Sequence, residues 1–398
     1  MIAVRVPWVL IAGGFHQRGG MDKANAALAT HLVQKQIPVH LVAHHVDASL
    51  AAQSDVTVHL VPRPLRSFLL GERALERRGL SVARAVTARV PDARVVVNGG
   101  NCAWPDINWM HCVHHAWQCA DAGAPAWFRV KNRLEKAAAR RRERHALATS
   151  RLVIANSERT RREIVTHLRV DANRVHTVYP GWDPLVGPPT REARRAARAE
   201  LGLGDRPCVV FLGALGHDDN KGLTTLWRAW ARLCARTDWD GDLVIAGGGR
   251  AVDRWRALVA GSARQTHARV LGFTERVDQI LDAADLLVSP VRYEAYGLGI
   301  QEAVGRGVPV LVSASAGIAE RFPADVRAML LASPDDADEV MARLLGWRRA
   351  MDHWRQQFAR LGAEVRRYTW DDMAARIVAL AEGARGDVFA ASDGLREA

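Results

Sequence analysis

Short apolar runs ending in glycine or proline, each followed by a segment of helical spacing, recur along this chain in two sets. In the first, Val9-Leu-Ile-Ala leads to Gly13-Gly14 and Gly19-Gly20, and Ala24 to Val33 then repeats apolar residues at helical spacing. The runs from Val39, Val58, Val95 and Leu152 continue that set, the last meeting a helix cap at Ser157. Residues 181–190 and the preceding Pro180 hold four prolines and two glycines, which predicts a linker. The second set runs through Cys208, Leu243, Val270, Leu286 and Val308. Helices alternating with strands predict an α/β chain, because parallel strands cannot be joined by hairpins and need crossovers. Two sets of strands predict two domains.

At 398 residues the chain exceeds one ordinary core, and 48% hydrophobic with 6% aromatic residues describes a globular protein. The apolar start is brief and runs into a glycine turn, so it reads as a first buried strand and not as a signal peptide. Five sparse cysteines, Cys102, Cys112, Cys119, Cys208 and Cys234, point to a reducing compartment, and the expected location is cytoplasmic. The formal net charge is +12, yet only five of the 55 basic residues are lysine. That skew points to coding bias and makes a lysine inside a motif more informative. Arg129 to Arg144 is a strongly basic helical stretch. It is expected to be a solvated face with pairs such as Lys131 with Glu135 and Arg140 with Glu143; the alternative is peripheral contact with an anionic membrane. Nucleic acid is not expected, since aromatic residues are not interleaved with the charges.

The most specific segment is Arg292-Tyr-Glu-Ala-Tyr-Gly-Leu-Gly-Ile-Gln-Glu302. It follows the apolar run that ends in Pro290 and leads into a helix-compatible run, Leu298 to Gly305. The pattern predicts strand, tight turn and helix start, with Glu294 and Glu302 on either side of the turn. Gly297 and Gly299 let a ligand approach the backbone, and first-turn amides favour an anion. Carboxylates for hydroxyls beside amides for phosphates suit a sugar nucleotide. Lys221-Gly222 lies in a similar turn after Gly213, where an ammonium would neutralise a leaving phosphate. Neither half has the G-x-G-x-x-G spacing of a nicotinamide enzyme, and no G-x-x-x-x-G-K-[ST] loop is present.

Four segments in this order resemble the retaining glycosyltransferases of family 4: Ala155-Asn-Ser-Glu158, Tyr179-Pro-Gly-Trp-Asp183, Lys221-Gly222 after a strand ending in glycine, and Glu294 to Glu302. The resemblance implies the GT-B fold, two Rossmann-like domains with parallel sheets facing a central cleft. It places an acceptor-binding domain at 1–180, the linker at 181–190 and a nucleotide-sugar-binding domain at 191–368. A helix near 369–382 packs back onto the first domain, and 383–398 form a flexible tail. It implies a UDP- or GDP-sugar donor, an unspecified acceptor and no metal or other cofactor. By resemblance Glu302 holds the ribose, Glu294 contacts donor-sugar hydroxyls and Lys221 the phosphates. Tyr296, Gly297 and Leu298 offer backbone amides, Gly213 ends the lysine's strand, and Gly19 and Gly20 close over the diphosphate. Many relatives have an arginine soon after that strand, where this chain has Ala214-Leu215.

Family members also place a histidine at a strand end near the donor's anomeric carbon. His114 is the first candidate here and His111 the second. Histidine changes charge near neutral pH and suits such a place. The same region gathers Cys102, His111, Cys112, His114, His115 and Cys119, but lacks the tight paired spacings usual for zinc. Two other functions fit parts of the pattern. A glycoside hydrolase or phosphorylase would use Glu294 and Glu302 as an acid and nucleophile pair. A non-catalytic carbohydrate-binding protein would keep the fold without turnover.

Overall fold

The apolar runs become the strands of two parallel sheets. The computed structural model describes residues 5–17, 19–64, 68–118, 123–262 and 267–393, which divide into two units. The first is built from residues up to Ala116, from Val130–Gly181 and from Tyr368 onward; the second from Trp117–Arg129 and Trp182–Arg367.

Along the first unit run β1 (Trp8–Ile11), β2 (Gly14–Phe15), α1 (Gly20–Gln34), β3 (Val39–Ala43), β4 (His45–Val46), α2 (Ala48–Ala51), β5 (Val56–Leu60) and α3 (Phe68–Arg89). Then follow β6 (Arg94–Asn98), β7 (Ile107–Met110), α4 (Ala126–Thr149), β8 (Leu152–Ala155), α5 (Glu158–Leu168) and β9 (Val175–Thr177). Seven strands pair in the order β5-β3-β1-β6-β7-β8-β9, and β2 pairs separately with β4. Trp8 lies opposite Val39 on one side and Arg94 on the other. Side chains alternate between faces, so β1 feeds two cores. Leu10, Leu41, Val96 and Trp109 pack with Leu28 and Leu32 of α1 and with Met373 and Ile377 from the end of the chain. Val9, Ile11, Val42 and Val97 pack with Leu75 and Val82 of α3 on the other face. Burial on both faces explains why the strands read as unbroken apolar runs. Ser157 caps α5 as the sequence predicts, accepting the Thr160 amide at 3.0 Å.

The second unit holds α6 (Arg191–Glu200), β10 (Cys208–Leu212), α7 (Leu223–Leu233), β11 (Asp242–Ala246), α8 (Val252–Ala260), β12 (Ala268–Gly272), α9 (Val277–Ala283) and β13 (Leu286–Ser289). α10 (Leu298–Gly305), β14 (Val310–Ser313), β15 (Leu330–Leu331), α11 (Ala337–Arg349) and α12 (Met351–Arg366) complete it. Its strand order is β12-β11-β10-β13-β14-β15. The final helix, α13 (Trp370–Asp393), returns to the first unit, where His31 Nδ1 lies 2.5 Å from Asp371 Oδ1. Gly181 is needed there, because a Cβ would fall 2.3 Å from the Thr369 carbonyl oxygen.

Several boundaries differ from the sequence reading. The helical spacing from Trp347 to Leu361 predicts one helix, but Trp347 lies in α11 and a new helix begins at Met351, because Ala350, at φ −133°, interrupts the pattern. The helix read as ending near 382 continues to Asp393, so the expected tail is helical that far; residues 394–398 lie outside the described ones. Trp117–Arg129, expected with the first domain, belongs to the second unit: Trp117 stacks on Tyr293 at 6.0 Å, and Phe128 meets His217 edge-on at 5.1 Å. Among the described residues no helix is long and apolar enough to cross a membrane.

One buried carboxylate fastens the second unit. Asp285 accepts the Cys208 amide at 2.9 Å, the Arg194 guanidinium at 2.7 Å, Arg198 at 3.3 Å and Arg355 at 3.1 Å. It thereby ties β10, α6 and α12 to the start of β13. Replacing it leaves buried donors without their acceptor. Asp285→Ala is expected to destabilise the second unit by about 3–5 kcal/mol, read from urea denaturation followed by tryptophan fluorescence. A change below about 1 kcal/mol would show that the cluster is not structural.

Candidate active site

In the second unit two turns meet at the carboxyl ends of β10 and β13. After β13 the chain runs to Gly297, whose φ of 112° is a left-handed conformation that favours glycine. α10 begins at Leu298, as the sequence predicts, and Gly297 brings no side chain to satisfy its first amides. A Cβ on Gly299 would meet nothing within 4 Å, so the first turn of α10 opens onto free space. Such a helix start presents amides and a positive dipole end to an anion. The turn is rigid: the Gly317 amide donates to the Glu294 carbonyl at 3.0 Å and the Ile318 amide to the Tyr296 carbonyl at 2.8 Å.

The turn after β10 is stapled to it. Asn220 donates to the Tyr293 carbonyl at 2.9 Å and accepts the Tyr293 amide at 3.1 Å. Gly222, at φ 73°, comes so close to β13's end that a Cβ would sit 1.9 Å from the Pro290 oxygen. A Cβ on Gly213 would fall 2.9 Å from Lys221 Cγ, so this glycine lets the lysine stem lie across the strand end. The outcome is an ion pair between Lys221 Nζ and Glu294 Oε2, both partly open to solvent. Two residues 73 positions apart in sequence are thus one unit of charge.

The remaining donor-side candidates divide. Glu302 is half-buried on α10, one turn beyond Leu298 and on the same helix face. Tyr296 is buried, donates to Gln301 and accepts from Arg321 Nη1 at 3.0 Å; burial pushes its phenol pKa up. Its side chain is structural. Arg292 is engaged by Asp219 at 3.1 Å and Asp335 at 2.6 Å. In the stretch where the resemblance implies an arginine, Leu215 is buried and its amide donates to the Gly248 carbonyl at 2.8 Å. Gly247-Gly248-Gly249 fails the dinucleotide spacing, yet Cβ atoms on Gly247 and Gly249 would lie 1.7 Å from the Gly213 oxygen and 2.2 Å from the Leu215 oxygen. They permit the close packing of two turns, and a run of three glycines after an apolar strand was the available signal.

In the first unit Gly19, at φ 80°, caps α1, and Gly20 is its first residue. Asp22 stands in that first turn, 3.5 Å from His16 Nε2; burial raises its carboxyl pKa against the opposing pull of His16. Asn98 donates to Asn25 at 2.9 Å and Asn25 to the Gly14 carbonyl at 3.3 Å, a buried amide chain from β6 to the glycine turn.

The two candidate histidines after β7 have opposite settings. His111 packs on Trp109, ring centroids 4.5 Å apart, and its buried Nε2 has no hydrogen-bond partner among the described residues. Burial lowers its pKa to about 3, so the ring stays neutral. His114 keeps 35% of its side chain exposed and turns Nδ1 to Glu143 Oε1 at 3.2 Å. His115 Nδ1 lies 2.7 Å from Glu143 Oε2. The expected pair of Lys131 with Glu135 forms at 3.7 Å. The expected pair of Arg140 with Glu143 does not: Glu143 is buried beneath both histidines, and Arg140 donates to the His114 carbonyl at 2.9 Å. Helical spacing places the two side chains on neighbouring faces, but the inward face wins Glu143. Among the described residues no group of three or more His, Cys, Asp and Glu side chains converges as metal ligands would, and Cys119 lies outside them. The Cys102 and Cys208 thiols are pushed up to about 12 by burial.

The model of Family 4 Glycosyltransferase in conflict systems matches residues 9–377. The chain belongs to this family. A D-inositol 3-phosphate glycosyltransferase of Nocardia farcinica is 30% identical over 239 residues, 57% of this chain and 51% of the relative. The chain thus spans about half the length of the curated relatives it matches. Among solved structures, sucrose-phosphate synthase from Thermosynechococcus elongatus superposes with a TM-score of 0.73 at 19% identity, over 97% of this chain and 100% of that one. Anabaena HepE, crystallised with UDP and glucose, gives 0.66 at 15%, over 95% and 100%. These likenesses establish the GT-B fold, two Rossmann-like units.

The setting of His111 has a measurable consequence. Its folded pKa lies below the ordinary 6.5, so its contribution to stability is complete above pH 6.5 and is lost as pH falls toward about 3. His111→Leu should flatten that acid limb while leaving stability at pH 8 within about 1 kcal/mol. Urea midpoints at pH 8, 6 and 4.5 check this; equal acid sensitivity in both proteins would place the titration elsewhere.

Proposed function

We propose that this chain is a retaining glycosyltransferase that moves a sugar from a nucleoside-diphosphate sugar to an acceptor hydroxyl. The observation that carries the reading is the Lys221–Glu294 pair beside the uncapped start of α10. The diphosphate takes the α10 amides and Lys221, the sugar hydroxyls take Glu294, and the ribose takes Glu302. The bond from the anomeric carbon to the diphosphate oxygen breaks. The bond to the acceptor oxygen forms on the same face, and the acceptor's proton passes to the leaving diphosphate. Positive charge on the leaving group comes from Lys221 and the helix start, so no metal is required. His114 hydrogen-bonds the donor sugar or the acceptor hydroxyl. UDP is the first nucleotide to test, because HepE binds UDP in its crystal structure. A hydrolase built on Glu294 and Glu302 fits less well, since Glu294 is held against an ammonium.

A thermal-shift screen of nucleoside diphosphates and their sugars tests the reading without an acceptor. Binding at a hundredfold excess over Kd adds about 2.7 kcal/mol of stability. Glu302→Ala should weaken the donor by about 1–3 kcal/mol. Lys221→Ala should lower turnover more than binding. Transfer should persist in EDTA, and NMR of the product should show a retained anomeric configuration. An inverted product, or EDTA inhibition reversed by a divalent ion, would contradict the mechanism.

A second feature bears on the acceptor. α4 exposes Trp127, Val130 and Leu134 at 54%, 58% and 68%, among Arg129, Lys131 and Arg133. An apolar stripe on a helix rich in arginine and lysine suits the surface of an anionic membrane, which we infer as a peripheral contact that brings the enzyme to a lipid-linked acceptor. Sedimentation with vesicles containing 30% anionic lipid, about one lipid in three, should retain the protein at low salt. Leu134→Glu should release it, and equal retention on neutral vesicles would rule out the charge component.

A further inference from the structure

The proposed reaction leaves Glu143 without a role, yet its carboxylate is among the most enclosed charges in the first unit, at 1% exposure. Oε1 accepts the His114 backbone amide at 2.9 Å and faces that residue's Nδ1 at 3.2 Å; Oε2 faces His115 Nδ1 at 2.7 Å. The proton positions follow from the neighbours. Arg144 Nη2 lies 3.1 Å from His115 Nε2, and a guanidinium only donates. His115 Nε2 is therefore the acceptor, and its ring proton sits on Nδ1, donated to Glu143. Burial alone would raise the Glu143 pKa, but the hydrogen bonds from His114 and His115 outweigh it and hold the carboxyl below its usual range. An ionised carboxylate only accepts, so the proton between it and His114 also belongs to Nδ1. The loop cannot rotate away, because Arg140 donates to the His114 carbonyl at 2.9 Å.

We propose that Glu143 is a positioning residue: it fixes His114 as the Nδ1–H tautomer and so turns Nε2, as a hydrogen-bond acceptor, toward a substrate hydroxyl. His115 completes the clamp by occupying the second carboxylate oxygen, which leaves Glu143 with a single arrangement. The proposal rests on the reading of His114 as a residue of sugar transfer. It assigns the histidine a definite face and a definite proton, which the sequence pattern does not.

Glu143→Gln tests it, since glutamine keeps the volume but has only one accepting oxygen for two Nδ1–H donors. One histidine must then change tautomer. Long-range 1H–15N spectra of the imidazole rings report this directly, with His115→Gln used for assignment. We expect Nδ1–H for both histidines in the unmodified protein; in Glu143→Gln, Arg144 keeps His115 Nε2 an acceptor, so His115 retains Nδ1–H and the glutamine oxygen, while His114 becomes Nε2–H and its backbone amide loses its acceptor. In that variant kcat should fall about 10- to 100-fold while the donor KM changes less than about twofold. Glu143→Asp, which keeps the charge, should restore the tautomer and part of the turnover, separating positioning from folding. An Nε2–H tautomer in the unmodified protein overturns the proposal, as does unchanged kcat in Glu143→Gln. Absence of transfer in the unmodified protein, with its tautomers as expected, sinks the sugar-transfer reading and with it the catalytic half of the proposal, and leaves the clamp standing.

Discussion

Parallel pairing is the constraint on which the rest depends. When every strand of a sheet runs the same way, each must be followed by a crossover, here mostly an α-helix. All carboxyl strand ends, with the helix starts that follow them, then collect along one edge of the sheet. The chemistry gathers where the chain reverses its direction of winding, since the turns on either side of that point diverge and leave room for a ligand. In the second unit the reversal lies between β10 and β13, which are paired to each other while β11 and β14 lie outside them. Lys221 follows β10 and Glu294 follows β13. Their ion pair is therefore a product of strand order. In the first unit β1 lies beside β6 and β6 beside β7, so the Gly13–Gly19 turn, Gly99 and the His111–His115 loop follow three adjacent strands.

A recurring fastener holds these edges. Asp106 accepts the Val95 amide and Arg151 Nε, both at 2.7 Å; Asp285 accepts the Cys208 amide and three arginines; Glu143 accepts the His114 amide and two imidazoles. Each is a buried carboxylate that bonds the backbone of a neighbouring segment and accepts further hydrogen bonds from side chains elsewhere in the chain. A buried charge costs less when its lone pairs are all occupied, and guanidinium forks occupy two sites at once. The excess of arginine over lysine thus has a structural use here, whatever its origin in coding. Arg306 shows the same pattern in reverse, a buried cation held by Asp278 and by Asp282 at 3.2 Å.

The legible part of the chain was the part governed by local rules. Strand runs buried on both faces, the Ser157 cap and the start of α10 at Leu298 each depend on a few consecutive residues, and each was read correctly. The family motifs carried Lys221 and Glu294 to one place. What escaped depends on partners far away in sequence. Glu143 reads as half of a helical ion pair with Arg140 until β7 places two histidines over it. Gly247 and Gly249 fail a dinucleotide spacing, and their true purpose is packing against Gly213 and Leu215. Trp117–Arg129 reads as part of the first domain because it leads into and opens α4, but its aromatic rings find Tyr293 and His217. Each miss is a tertiary contact overriding a local preference.

The Lys221–Glu294 pair also shapes the energetics of the proposed reaction. Two isolated charges at a strand edge would each lose hydration as a donor displaced water. Paired, they hold each other in place beforehand, and Gly213 and Gly222 allow the geometry by removing the Cβ atoms that would obstruct it. In the proposed reaction a sugar nucleotide would insert between them and exchange one partner for another on each side: phosphate for carboxylate on the lysine, hydroxyl for ammonium on the glutamate. The exchange on Glu294 is unfavourable in charge, and the one on Lys221 becomes more favourable as the leaving diphosphate gains charge. The lysine's attraction therefore grows along the reaction coordinate while the glutamate's loss is complete at binding. An interaction that strengthens between ground state and transition state is the kind that accelerates turnover. By that argument the pair would serve catalysis through its separation, and its strength before a donor binds is a measure of how well the two groups are held.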